Sequence, residues 1–97
     1  MSVYVDPLLL NSSNAHKVFA NKLSCHMYAD SVDELHEMAD VIGLKRSWFQ
    51  EFSTMPHYDL VESKRVLAIE NGAIEQNRRE AVNKWKELKV NRIETNK

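Results

Sequence analysis

Histidine, aspartate, tyrosine and arginine side chains that could do chemistry recur between residues 4 and 65. A His/Asp pair can move a proton to or from a substrate, and two or three such side chains could hold a divalent metal ion as cofactor. The candidate catalytic residues are His26, Asp30, His57 and Asp59. The candidate ligand-binding residues are Tyr4, Asp6, His36, Tyr58 and Arg65, of which the arginine could clamp a phosphate or carboxylate.

Two of the aspartates end predicted strands, which run over Ser2–Asp6 and Lys22–Ala29. If these strands are parallel neighbours, Asp6 and Asp30 both project into the crevice at the carboxyl ends of the sheet. His26 shares a strand face with Asp30. We therefore expect both aspartates, His26, His57 and Asp59 to converge on one cleft, within about 10 Å of one another.

Each of these residues also has a purely structural interpretation. Asp59 could cap a helix that begins at residue 60, and Asp6-Pro7 is a frequent turn pair. His26 could be a hydrogen-bonded core residue, and His36 could lie at a helix boundary with its polar end in water. The sequence is consistent both with a functional cleft and with a network of structural hydrogen bonds.

The best-defined element is a helix from Val32 to Ile42. Ser31 is its predicted N-cap and Glu34 follows three residues later, as in a capping box. Gly43 supplies the left-handed residue that ends a helix. This helix is the element that the sequence predicts most clearly.

Two more helices are predicted, with a brief strand between them. The second runs from Leu60 to Asn71 with Asp59 as N-cap and Gly72 as exit. The strand begins at Ala73-Ile74. The third helix has Asn77 as N-cap and Glu80 at the capping-box position, its apolar stripe is Ala81, Val82, Trp85 and Leu88, and residues 91–97 are expected to fray. Between residues 8 and 22 the pattern is weakest, with a loop at 11–14 and a helical turn or two at 15–20.

Strands alternating with helices indicate an α/β fold. We expect a small, partly parallel sheet of about three strands with about three helices packed on it. Residues 1–76 would form the α/β core, and residues 77–97 a C-terminal helix and frayed tail.

The composition argues against several classes of protein. Cys25 is the single cysteine, so the chain has no internal disulfide, and the net charge of −1 gives no general attraction to nucleic acid. The longest apolar run, Val66–Ile69, is far shorter than a membrane span, as is Leu8–Leu10. We expect a cytoplasmic protein without a membrane partner. Phosphate-loop, dinucleotide-binding and nucleophile-elbow motifs are absent from the sequence.

Several short blocks together resemble a family of small bacterial and bacteriophage proteins of unknown function. The blocks are Val3-Tyr4-Val5-Asp6, His26-Met27-Tyr28-Ala29-Asp30-Ser31, Glu34-Leu35-His36, Ile42-Gly43-Leu44, Trp48-Phe49-Gln50, His57-Tyr58-Asp59-Leu60 with Arg65, and Gly72-Ala73. They span residues 3 to about 74, while residues 8–22 depart from the pattern. The resemblance implies a bacterial or phage origin and a recurring set of ionisable side chains, and it transfers no activity.

The candidate residues are consistent with two functions of different kinds. The first is a binding or inhibitory module that acts on a host protein or an anionic, phosphate-bearing ligand, with residues 48–52 and Trp85 as contact surface. The second is a His/Asp enzyme, with or without a divalent metal, acting on a nucleotide or nucleic-acid phosphoester. Bound metal would favour the enzyme, and a co-purifying partner would favour the binding module.

Overall fold

The computed structural model describes residues 2–11, 22–51 and 55–95, and these residues form an α/β structure. The strands are β1 (Val3–Val5), β2 (Leu9–Asn11), β3 (Lys22–Ala29), β4 (Tyr58–Val61) and β5 (Ile74–Glu75), and the helices are α1 (Val32–Val41), α2 (Glu62–Glu70) and α3 (Arg78–Thr95). One turn of 3-10 helix covers Arg46–Trp48. The predicted fold class is confirmed, and the predicted loop and helical turn at residues 11–20 lie almost wholly outside the described residues.

The sheet is mixed, and β3 is its central strand. β1 lies antiparallel along one edge of β3, where Val3 faces Ala29, and β4 lies antiparallel along the other edge, where Tyr58 faces Met27. β5 then adds to the outer edge of β1 in parallel. The expected parallel alignment of β1 and β3 is therefore wrong: the parallel neighbour of β1 is β5, reached through three intervening helical segments.

β1 and β2 follow the same edge of β3, with an irregularity between them. Val5 faces Met27, whereas Leu9 faces Ser24, so three residues on one side oppose two on the other. This is a β-bulge. It contains Pro7, whose missing N–H cannot serve a regular ladder. The sheet is thus four strands wide, since β1 and β2 together occupy one position.

Side chains of β3 alternate between two cores, one on each face of the sheet. α1 and α2 cover the face that holds Cys25 and Met27. α3 covers the opposite face, where Tyr28 lies in a smaller cluster with Leu88 and with the partly buried Trp85. Trp85 and Leu88, both on the predicted apolar stripe of the third helix, therefore pack against the sheet.

The helix caps follow the predicted pattern at α1 and α3. The Ser31 hydroxyl oxygen accepts from the Glu34 N–H at 3.2 Å. At α3, the Asn77 and Glu80 side chains each accept the other residue's backbone N–H, at 2.8 and 2.9 Å. Gly43 has φ +81°, as a left-handed helix exit requires.

The predicted start of the second helix is wrong. Residues 58–61 form β4, and α2 begins at Glu62 after Val61, which has no side-chain cap. The reason is alternation: Tyr58 and Leu60 are fully buried in the core under α1 and α2, which places Asp59 on the other face. Asp59 is therefore not a helix cap. α3 runs from Arg78 to Thr95 and so includes most of the segment 91–97.

Candidate functional site

Four of the predicted site residues meet on the sheet face that α3 covers. His26 on β3 stands directly opposite Asp59 on β4 in the strand register. His57 lies two residues before Asp59 and points to the same face, and Asp6 lies at the bulge beside His26. Antiparallel pairing across β3, rather than parallel strand ends, brings these side chains together.

The Asp6 carboxylate, positioned by the bulge, contacts His26 at two atoms. One carboxylate oxygen accepts the His26 backbone N–H at 2.7 Å, and the other lies 2.8 Å from the His26 Nδ1. The hydrogen bond that His26 donates to this carboxylate raises the pKa of His26 above its usual value, against the opposing effect of burial. Asp6 thus fixes both the backbone and the ring of His26.

His57 is held in an equivalent way by a backbone carbonyl. Its Nδ1 lies 2.6 Å from the carbonyl oxygen of Met55, and its side chain is buried. Its Nε2 lies 3.4 Å from Oδ1 of Asp59. The ring orientation is therefore set by a short hydrogen bond inside its own turn.

Asp59 is the shared partner of the two imidazoles. The Gln50 side-chain amide donates to its Oδ2, while Oδ1 faces both rings. Burial on its own would raise the pKa of Asp59, but the combined effect of His57, His26 and Gln50 lowers it below its usual value. Asp59 is consequently an ionised carboxylate in a partly buried position.

Both imidazoles aim the same ring atom at this carboxylate. The Asp6 carboxylate and the Met55 carbonyl can only accept, so each Nδ1 carries the proton and each Nε2 presents a lone pair when the ring is neutral. The Nε2 of His26 lies 3.9 Å from Asp59 Oδ1. Lone pairs facing a carboxylate repel it unless a proton or a metal ion lies between them. Three atoms that could ligate a metal ion, one from each of His26, His57 and Asp59, lie within 4.8 Å of one another.

A cavity of about 420 Å³ lies beside this cluster, between the bulge and α3. The sheet contributes Asp6, Pro7, Leu9 and His26, residue Met55 lies between them, and α3 contributes Arg78, Ala81, Val82, Trp85, Lys86 and Lys89. The Trp85 ring packs edge-on against His26, with ring centroids 5.4 Å apart. His26 is thus part of both the cluster and the cavity wall.

Asp30 does not join the cluster, contrary to the predicted convergence. Because β1 and β3 are antiparallel, Asp6 and Asp30 lie at opposite ends of β1, and four residues of strand separate Asp30 from His26 by about 13 Å. Asp30 instead accepts from the Tyr4 hydroxyl at 3.0 Å and from the Ser2 N–H, and lies 3.4 Å from the Lys84 ammonium. Tyr4 and Asp30 therefore belong to a separate polar group that includes Lys84 of α3.

His36 and Tyr58 meet on the opposite face of the sheet. The His36 Nδ1 lies 2.8 Å from the Tyr58 hydroxyl, and the His36 ring packs against Phe49. Burial and the nearby Arg46 guanidinium lower the pKa of His36. These residues therefore form a second cluster, separated from His57 and Asp59 by the sheet.

Arg65 supports the bulge from the α2 side. Its Nε donates to the Asp6 carbonyl oxygen at 2.9 Å, and its Nη1 lies 3.0 Å from a Glu75 carboxylate oxygen. Cys25 lies on this same face, where burial raises the pKa of its thiol to about 12. The guanidinium is thus engaged on the face away from the cavity.

Three participants were not among the candidate catalytic and ligand-binding residues: the Gln50 amide and the Trp85 ring, which were predicted only as part of a contact surface, and the Met55 carbonyl. Gln50 pairs with His57 as an isolated β-bridge, which places its side chain next to Asp59. Its position beside the aromatic residues Trp48 and Phe49 in the resembling blocks was the available sequence signal. A backbone carbonyl leaves no such signal.

A mixed α/β sheet carrying a His/Asp cluster beside a helix-lined cavity defines the class of this protein structurally. The model of one protein family, described as Protein of unknown function (DUF4031), matches residues 3–88, so the chain belongs to that family. The match includes the first part of α3, beyond the blocks that carried the resemblance. Comparisons with curated proteins and with solved structures gave no significant match. Within the described residues, no helix has both the length and the apolar character needed to cross a membrane.

Proposed function

We propose that this protein binds a divalent transition metal ion at His26, His57 and Asp59 and uses it to hydrolyse a phosphate ester. The observation that carries the proposal is the convergence of two Nε2 atoms on Asp59 Oδ1, with both Nδ1 atoms already committed as donors. Metal-binding histidines characteristically donate their other ring N–H to a carboxylate or a backbone carbonyl. Here the chain supplies one of each.

The distances suit a small first-row metal ion. Two ligands of a tetrahedral Zn²⁺, each about 2.0–2.1 Å from the metal, lie about 3.4 Å apart. His57 Nε2 and Asp59 Oδ1 already have that separation, at 3.4 Å, and His26 Nε2 lies 3.9 Å from the same oxygen. The three ligand atoms lie within 4.8 Å of one another, so side-chain movements of up to about 1.4 Å would complete the set. Two histidines and one carboxylate also form the ligand set of several catalytic zinc and non-haem iron centres.

Three protein ligands leave a coordination position for water, which is the arrangement of a catalytic rather than a structural metal site. A metal ion held by His26, His57 and Asp59 would supply a water molecule of lowered pKa as the nucleophile. Attack on phosphorus forms one P–O bond and breaks the ester P–O bond, and the proton of the water ends on the departing alcohol. The adjacent cavity, with Arg78, Lys86 and Lys89 in its lining, supplies positive charge for the phosphate.

Isothermal titration with Zn²⁺, and with Co²⁺ followed by its visible absorption, tests the metal site. We expect one ion per chain in the wild type and a loss of affinity of at least about 100-fold in His57→Ala and Asp59→Asn. His36→Ala is the matched control. The Nδ1 of His36 is also hydrogen-bonded, here to the Tyr58 hydroxyl, but His36 lies on the other face of the sheet. Absence of stoichiometric binding, or equal loss in His36→Ala, would overturn the proposal.

A binding module without turnover is the second candidate, favoured by the cavity beside α3, with its apolar and cationic lining. It requires the same ligand site but no metal-bound water. Incubation of the Zn²⁺-loaded protein with aryl phosphate mono- and diesters separates the two functions. Product release that disappears in Asp59→Asn supports the enzyme, and ligand binding without product release supports the module.

A further inference from the structure

We infer that the cavity takes a phosphate monoester with a flat aromatic group, of the size of a nucleoside monophosphate. This inference rests on the proposed function for its phosphate end, and on the cavity walls for its aromatic end. The aromatic group would lie against Trp85 and Val82, with the phosphate at the end where His26 and Asp6 meet the cavity.

The walls of the cavity are suited to an apolar body. Leu9 is 60% exposed and Val82 is 46% exposed, and both face this space together with Pro7 and Met55. Apolar side chains left exposed around one concave surface mark a binding site more often than scattered ones do. Trp85 adds an aromatic surface, on which nucleic-acid bases and similar rings stack regardless of sequence.

Positive charge accompanies this apolar surface along one face of α3. Arg78, Lys86 and Lys89 stand at positions i, i+8 and i+11, so they lie on the same side of the helix as Val82 and Trp85. Asp6 is the single acidic residue among the described residues that line the cavity, and it is committed to His26. The excess of cations predicts an anionic ligand rather than a neutral or cationic one.

The size of the cavity restricts the ligand further. At about 420 Å³ it lies in the lower part of the range of about 300–1,000 Å³ that holds small organic ligands. A single aromatic ring system with a phosphate fits this range, and an oligonucleotide does not. The cavity is therefore matched to a monomeric ester.

Fluorescence of Trp85 reports occupancy in the Trp48→Phe background, which removes the other tryptophan. The probes are AMP, 1-naphthyl phosphate, adenosine and inorganic phosphate, each added to metal-free and to Zn²⁺-loaded protein. We expect both esters to change the emission with affinities at least about tenfold above those of adenosine and of phosphate. Equal affinity for AMP and adenosine would overturn the inference.

Charge removal on α3 provides the second readout. We expect Lys86→Gln with Lys89→Gln to weaken AMP binding by about tenfold, while Lys45→Gln, an exposed cation next to Trp48, has no effect. Tighter binding of AMP than of 1-naphthyl phosphate assigns the ligand as a nucleotide, and the reverse order assigns it as another aryl phosphate. AMP binding by metal-free protein that takes up no Zn²⁺ sustains this inference while refuting the metal centre. Zn²⁺ uptake with no response to either ester would support the metal centre and overturn this inference.

Discussion

Asp6 holds two neighbours at once, and this dual role explains the state of His26. Its carboxylate contacts both the backbone N–H and the ring of His26, while its carbonyl accepts from Arg65. The ring is partly exposed, with 40% of its side-chain surface accessible, and so can exchange protons with solvent. Of the two contacts to His26, only the one to the ring changes with the protonation of the imidazole.

Substitution of Asp6 by asparagine should lower the pKa of His26. Asparagine keeps an oxygen for the His26 backbone N–H but loses the negative charge that stabilises the imidazolium. Titration of the His26 ring by NMR in the metal-free protein measures the change. Asp30→Asn is the control, because Asp30 lies at the other end of β1, and an equal effect of both substitutions would contradict the assignment.

The same pair makes stability depend on pH in a defined direction. The folded pKa of His26 is raised, so its contribution is fully present below the unfolded pKa of 6.5 and is lost as the pH rises through the folded value. The difference in free energy of unfolding between wild type and Asp6→Asn should therefore be larger at pH 5.5 than at pH 8.5. Urea denaturation of both proteins at the two pH values measures this difference in free energy of unfolding.

At the scale of elements, the helices with side-chain caps were predicted closely and the strand without a regular pattern was not. Ser31 with Glu34 and Asn77 with Glu80 mark the starts of α1 and α3 by local hydrogen bonds, which sequence spacing reveals. β4 has only four residues, and Asp59 in it has the composition of a cap. Its strand state is decided by burial of its neighbours against β3, a tertiary effect that overrides local preference.

Replacement of Ser31 by alanine should lower the free energy of unfolding by about 0.5–2 kcal/mol, because the Glu34 N–H loses its acceptor. Chemical denaturation with circular dichroism measures the loss. Ser47→Ala, within the 3-10 turn, serves as a comparison at a serine where an N-cap is not expected. A loss at Ser47 as large as that at Ser31 would contradict the cap assignment.

For the whole molecule, the position of α3 was the least accessible to prediction from the sequence. Its stripe indicated an inward face, but not which of the two sheet faces would receive it. Tyr4 and Tyr28 provide the receiving surface, and they occur on β1 and β3 among residues whose neighbours face the other core. The convergence of His26, His57 and Asp59 was predicted correctly, although the parallel strands invoked for it were wrong, because antiparallel registers also bring alternate residues together.

Truncation of Leu88 tests whether α3 is part of the folding unit. Leu88 is 6% exposed and packs on the tyrosine cluster, so Leu88→Ala should cost about 2–5 kcal/mol of unfolding free energy. Leu67→Ala, on α2 at 39% exposure, should cost much less. A single cooperative denaturation transition with this difference indicates that α3 folds with the sheet. Loss of helical signal in a separate, earlier transition would show the opposite.

The bulge between β1 and β2 inverts the phase of the strand. Val3 and Val5 point into the core under α1 and α2, and a regular strand would send Leu9, also odd-numbered, to that same core. The extra residue sets Leu9 opposite Ser24, which shares a face with His26, so Leu9 lines the cavity instead. One inserted residue thus allows a single stretch of chain to build the interior of the protein with its first half and the wall of a ligand cavity with its second.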